Sequence, residues 1–170
     1  MGLLDLFNDF IEAGGPILYW VAIVLFVMWT MIFERVWYFS FVFPKEARLM
    51  VAEWDNRADT TSWQARKVRE AWISQMSEKL NAGVGFIKTL VAICPMIGLL
   101  GTVTGMITVF ELMALFGTGD PRDMASGITQ ATIPTMSGMV AALSGLFIST
   151  RLEFMAKVKA EQLADKMPQH

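Results

Sequence analysis

The chain has 170 residues, 54% of them hydrophobic and 18% charged, with a formal net charge of −2. That apolar share exceeds what a soluble domain of this length usually carries. The balanced charge leaves no basic surface for nucleic acid, and one cysteine (Cys94) and one histidine (His170) exclude an internal disulfide and a cysteine-based metal site. No catalytic constellation or phosphate-binding loop is visible, so the sequence reads as a non-enzyme that calls for no cofactor or metal.

Residues 1–12 (MGLLDLFNDFIE) place Leu3, Leu4, Phe7, Phe10 and Ile11 at helical spacing among acids, which predicts an amphipathic helix on the outer leaflet. The start lacks the basic residues of a signal peptide, and Leu6 stands where a myristoylation site needs Ser or Thr. Gly14-Gly15-Pro16 breaks the chain before a first transmembrane helix at 13–40, whose uncharged core is Ala13–Phe33 and whose inner end is Glu34-Arg35 with Trp37 and Tyr38 as interface anchors. Residues 41–86 mix both charge signs and predict a cytoplasmic helical segment. Pro44 opens one helix, and Asp59-Thr60-Thr61-Ser62 offers caps for a second that contains Trp72, Met76 and Leu80. Gly83 and Gly85 loosen the approach to the next span.

A second transmembrane helix is predicted at 87–116 around the uncharged run Thr89–Phe110, then a periplasmic turn at 117–123. Gly117-Thr118-Gly119 ends one helix, and Asp120 as cap, Pro121 at the first position and Asp123 near the positive helix end start the next. The third transmembrane helix is predicted at 124–150, and residues 151–170 continue as a cytoplasmic C-terminal helix with a Glu153/Lys157 pair, Pro168 marking its end. The fold class is all-α integral membrane: three transmembrane helices with helical cytoplasmic extensions. Nine basic residues lie between Arg35 and Lys88, four follow the third span, and only Arg122 lies in the connection between spans two and three. The positive-inside rule therefore predicts an N-terminus outside the cytoplasm and a C-terminus within it.

On the second span Cys94, Gly98, Gly101, Thr102, Gly105 and Thr108 fall on one face about 120° wide at 100° per residue. Small residues let membrane helices approach closely, so the glycines, Gly138 of the third span included, read as packing positions. The third span is polar on two sides: Ser126, Gln130, Ser137 and Ser144 on one, Thr132 and Thr135 on another. Two polar faces suggest a sibling subunit on one and a lumen or partner helix on the other. Thr102 and Thr135 each lie roughly 20–24 Å from the inner edge at about 1.5 Å per residue. They are either two hydroxyls bonded to their own helices or part of a polar ring in an oligomer. Pro95 and Pro134 read as helix kinks; Pro134 also frees the carbonyl of Gln130 at membrane depth. Glu111 reads as a carboxylate at the outer interface, and no acid lies at the middle of any span. A proton path needs a group that stores and releases the proton, so the carboxylate must come from another protein.

The stretch Cys94-Pro95-Met96-Ile97-Gly98-Leu99-Leu100-Gly101-Thr102-Val103-Thr104-Gly105-Met106 resembles the second-span signature of the ExbB/TolQ/MotA stator family. Gly127-Ile128-Thr129-Gln130-Ala131 through Thr135, then Gly138-Met139-Val140-Ala141-Ala142, resembles its third-span signature, and three spans favour the ExbB and TolQ branches. The resemblance implies a homopentamer in the bacterial inner membrane around an ExbD- or TolR-like single-span partner that supplies an intramembrane aspartate. It implies that ion flow drives this assembly to work on a TonB-like protein and energise outer-membrane uptake, of iron complexes among others; the alternatives are a TolQ-type role in envelope integrity and a passive membrane scaffold. The family's pore threonines map onto Thr102 and Thr135, with Gln130 and Thr132 beside them on the expected ion pathway. Gln130 departs from the family's frequent glutamate and Pro134 from a small residue. Whether the ion is H⁺ or Na⁺ does not follow.

Overall fold

The computed structural model describes residues 2–60, 62–117 and 121–167. Secondary structure among them is entirely helical: α1 (Leu3–Trp37), a π-helical turn (Tyr38–Val42), α2 (Phe43–Asp55), α3 (Trp63–Asn81), α4 (Val84–Phe116) and α5 (Pro121–Asp165). Three continuous helical stretches, Gly14–Asp55, Trp63–Leu115 and Met124–Asp165, are long and apolar enough to cross a membrane. Only 22%, 28% and 28% of their most apolar windows is buried within the chain, which leaves the greater part of each for lipid or for other chains.

The break expected after residue 12 falls at Gly15, inside α1. Its φ of 63° and ψ of −166° suit a residue without Cβ, and Pro16 follows with its φ pre-set for a helix. Backbone helix precedes the break from Leu3, but the side chains of the predicted amphipathic face at Leu3, Leu4, Phe7 and Phe10 lie outside the described residues. Thr61, Thr118, Gly119, Asp120, Pro168 and His170 also lie outside them.

The first span does not stop at Glu34-Arg35. The chain passes through the π-helical turn, in which the Phe43 amide donates to the Tyr38 carbonyl, straight into α2. Pro44 has no amide to donate to the carbonyl four residues back, and the ladder widens at the step before it.

The chain divides into two compact units. One comprises the residues up to Trp29 with Lys88–Leu146. Its core is built from Leu18, Val21 and Met28 of α1, Leu90, Val91 and Cys94 of α4, and Ala131, Ala141 and Ala142 of α5, all buried. Gly145 supplies the clearance there, for a Cβ on it would stand 2.7 Å from Val91 Cγ2 and 2.8 Å from Met28 Cε.

The second unit comprises Thr30–Ile87 and the residues from Phe147 onward. Here α2 and α3 form an antiparallel hairpin: Lys79 Nζ lies 3.3 Å from Glu46 Oε2 at one end, and Trp54 meets Trp72 edge-on at 6.2 Å toward the other. Of the candidate caps for α3, Ser62 does the work. Its Oγ accepts the Gln64 amide at 3.1 Å, and its own amide donates to Asp59 Oδ1 at 3.0 Å. Leu152, Ala156, Leu163 and Met167 are buried along one side of α5. Lys159 Nζ lies 5.1 Å from the centre of the Phe43 ring. The turn from α3 to α4 rests on Gly83, whose φ is +77° and over which the Arg35 guanidinium lies while its Nη1 donates to the Lys79 carbonyl at 3.3 Å.

Candidate functional site

The seam between α4 and α5, inside the first unit, is assembled by the absence of side chains. A Cβ on Gly98 would lie 2.8 Å from the Pro134 carbonyl oxygen and 3.0 Å from Thr135 Cα. One on Gly101 would strike the Pro134 ring, and one on Gly105 would come within 2.6 Å of Ala131 Cβ. From the other helix, a Cβ on Gly138 would sit 2.5 Å from the Cys94 carbonyl oxygen. The four glycines form an antiparallel zipper in which backbone meets backbone. Without water to drive apolar association, close approach of this kind is what holds membrane helices together.

That approach brings the two singled-out threonines into contact. Thr135 Oγ1 donates to the Gly98 carbonyl at 2.9 Å, across the seam. Thr102 Oγ1 shares a short hydrogen bond with Thr135 Oγ1 and stands 3.4 Å from the same carbonyl. Either hydroxyl can be the donor between the two, since the Gly98 carbonyl can accept from Thr102 as well as from Thr135. The neighbouring hydroxyls behave differently, each serving its own helix: Thr104 to Leu100, Thr108 to Thr104, Thr129 to Ala125, Ser137 to Ile133 and Ser144 to Ala141. Both Thr102 and Thr135 are half-buried, whereas Gly98 is buried.

The other expected pathway residues stand apart from this cluster. Gln130 is exposed, and Thr132 is exposed with its hydroxyl spent on the Thr129 carbonyl at 2.8 Å. Glu111 is exposed near the end of α4. Pro95 and Pro134 lie inside helices that continue past them, and the buried Pro134 ring fills the notch over Gly101. Missing from the sequence reading is the Gly98 carbonyl, the hub of the cluster. A signal for it existed, because residue 98 is four before Thr102 and a helical Thr hydroxyl seeks that carbonyl.

Chemically the cluster offers two hydroxyls and a carbonyl, a polar set that relays or coordinates but has no group to titrate near neutral pH. No Asp or Glu occurs between Thr89 and Phe110 or between Met124 and Thr150. Among the described residues no group of three or more His, Cys, Asp or Glu is placed to hold a metal ion.

A profile of the MotA/TolQ/ExbB proton channel family matches residues 43–165. The chain is similar to an ExbB-like biopolymer transport protein of Synechocystis, 32% identical over an alignment of 107 residues that covers 56% of this chain and 42% of that one. It is similar to the Tol-Pal system protein TolQ of Pseudomonas aeruginosa, 36% identical over 87 residues, 51% of this chain and 37% of that protein. A third relative is the biopolymer transport protein ExbB of Salmonella typhimurium, 33% identical over 79 residues, 46% and 32% of the two chains. The matched region thus spans less than half the length of each of these relatives. With its glycine seam and threonine pair inside the matched stretch, the chain belongs to the MotA/TolQ/ExbB proton channel family.

Proposed function

We propose that this chain is the stator subunit of an ion-motive-force-driven motor in the bacterial inner membrane, working on a TonB-like protein to energise transport across the outer membrane. Its N-terminus is periplasmic and its C-terminus cytoplasmic, as the thirteen-to-one distribution of basic residues favours. Five copies surround an ExbD- or TolR-like single-span partner. The observation that carries the reading is the Thr135–Thr102–Gly98 cluster, a polar relay at membrane depth in a chain with no acid at the middle of any span. The partner's aspartate takes up and releases the ion, and the threonine pair meets it. Similarity to proteins called biopolymer transport protein ExbB supports the uptake branch.

The test is Thr102→Val and Thr135→Val, which keep the side-chain shape and delete the hydroxyl. Loss of ferric-chelate uptake with copurification of the partner intact is expected; normal uptake in both variants would sink the proposal. A TolQ-type role in envelope integrity is the second reading, favoured by the 36% identity to TolQ. A deletion strain that leaks periplasmic proteins but imports iron normally selects it. A passive scaffold would show damage to assembly alone when a charge is placed at Thr135.

A further inference from the structure

Arg69 stands where the pattern of α3 calls for an apolar side chain. Ala65, Met76 and Leu80 are buried, and Trp72 packs edge-on against buried Trp54. Steps of four, three and four residues from Ala65 pass through 69 and 72 to 76, so the inward stripe of α3 carries a guanidinium in its middle. A charge there is costly unless hydrogen-bonded. Its hydrogen-bond partners are carbonyls: Nε donates to Met167 and Nη2 to Ala164, each at 2.6 Å.

The Ala164 carbonyl is in the last turn of α5, and Met167 lies two residues past its end. Carbonyls at a helix end carry its partial negative charge, and the Ala164 carbonyl also accepts the Met167 amide at 3.3 Å. Ordinarily water or a residue of the same chain segment serves them. Here Leu163 and Met167 are buried, Arg69 and Ala164 are half-buried, and the cation is delivered from α3. A lysine at 69 could not reproduce this, because a point-like ammonium does not span two carbonyls as a planar fork does.

We infer that Arg69 is a C-cap supplied from another helix, a latch that seats the last turn of α5 on the α2–α3 hairpin. Leu163 and Met167 dock only while the guanidinium occupies the helix end. The hairpin can therefore hold or release the end of α5 without either of them unfolding. Lys159 over Phe43 is a second contact between α5 and the hairpin, one turn earlier and weaker because its ammonium is partly solvated.

Amide hydrogen exchange on the full-length chain in lipid nanodiscs tests this, comparing wild type with Arg69→Met and Arg69→Lys. Arg69→Met keeps apolar bulk and removes both charged hydrogen bonds. It should speed exchange at residues 163–167 by about tenfold to a hundredfold, with residues 65–80 of α3 near wild type. Arg69→Lys should fall between. Unchanged exchange at 163–167 in Arg69→Met overturns the latch, and so does equal acceleration of α3, which would make Arg69 an ordinary core residue. Should Arg69→Met fail to accumulate, Arg69→Lys decides alone: partial acceleration confined to 163–167 supports the latch, wild-type protection or general loosening refutes it.

Discussion

Gly138→Ala is the sharpest test of the α4–α5 seam. The new Cβ would lie 2.5 Å from the Cys94 carbonyl oxygen and 3.3 Å from Gly98 Cα. Both obstacles are backbone, so no side chain can swing aside. Ordinary contact begins at 3.4 Å, and the helices must part by about 0.9 Å, the difference between 3.4 and 2.5. Carried to the next turn, that displacement stretches the 2.9 Å bond from Thr135 to the Gly98 carbonyl to about 3.8 Å, beyond hydrogen-bond range. Overpacking costs about 1–3 kcal/mol and the lost bond about 1 kcal/mol, so about 2–4 kcal/mol is expected in all. Gly98→Ala, whose nearest obstacle is the Pro134 carbonyl at 2.8 Å, requires about 0.6 Å and should be milder. The assay is thermal loss of near-ultraviolet circular dichroism in micelles alongside uptake in cells. A Gly138→Ala protein that melts and transports like wild type would show that the seam is looser than the geometry requires.

Two glycines two residues apart, Gly83 and Gly85, should respond in opposite directions. Gly83→Ala forces a φ of +77° on a residue with Cβ and pushes that atom to 2.9 Å from Arg35 Nε, so a loss of about 1–2 kcal/mol is expected in denaturant titration. Gly85→Ala meets nothing within 4 Å and should gain a few tenths to about 1 kcal/mol from helix propensity. Ser62→Ala removes the acceptor of the Gln64 amide and should cost about 1 kcal/mol, read as faster exchange confined to the first turn of α3. Glu70 is fully exposed, and the Lys67 hydrogen bond at 2.8 Å holds its carboxyl below the usual range. The pair's contribution is therefore complete above the ordinary glutamate range and lost as pH falls through the lowered value. Glu70→Gln should flatten that acid-side slope of α3 helicity by lowering neutral-pH helicity slightly, toward its acid-side level.

How much of this was legible in the sequence depended on how local the physics was. The three apolar helices follow from uncharged runs such as Thr89–Phe110, because lipid admits no other single-segment backbone. Ser62 was one of four adjacent residues able to cap α3, and only backbone geometry selects it. The Thr102–Thr135 contact was foreshadowed by equal depth on antiparallel helices. Depth does not say which way a helix is turned, however, and Gln130 and Thr132, which the polar faces and the family resemblance marked for the pathway, are exposed on this chain. Pro134 read as a kink because proline chemistry is local, whereas its packing over Gly101 depends on a residue 33 positions away. Arg69 was unreadable for the same reason: its acceptors lie 95 and 98 positions further on.

The threonine cluster constrains the proposed mechanism more tightly than the presence of two hydroxyls suggests. Its hydrogen bonds converge on one acceptor, the Gly98 carbonyl, which both Thr102 and Thr135 can serve. A backbone carbonyl cannot hand a proton on, so the chain as it stands is a dead end. Relay through it requires the Thr135 hydroxyl to leave Gly98 and turn toward another acceptor, breaking a bond worth about 1 kcal/mol. A β-branched side chain turns reluctantly because its methyl must turn with the hydroxyl. Thr135→Ser removes that methyl and keeps the oxygen, so it should retain transport where Thr135→Val loses it. A serine variant as inactive as the valine one, with assembly intact, would mean that the methyl's packing and not the hydroxyl is what transport uses. The relay would then have to be sought elsewhere on α5.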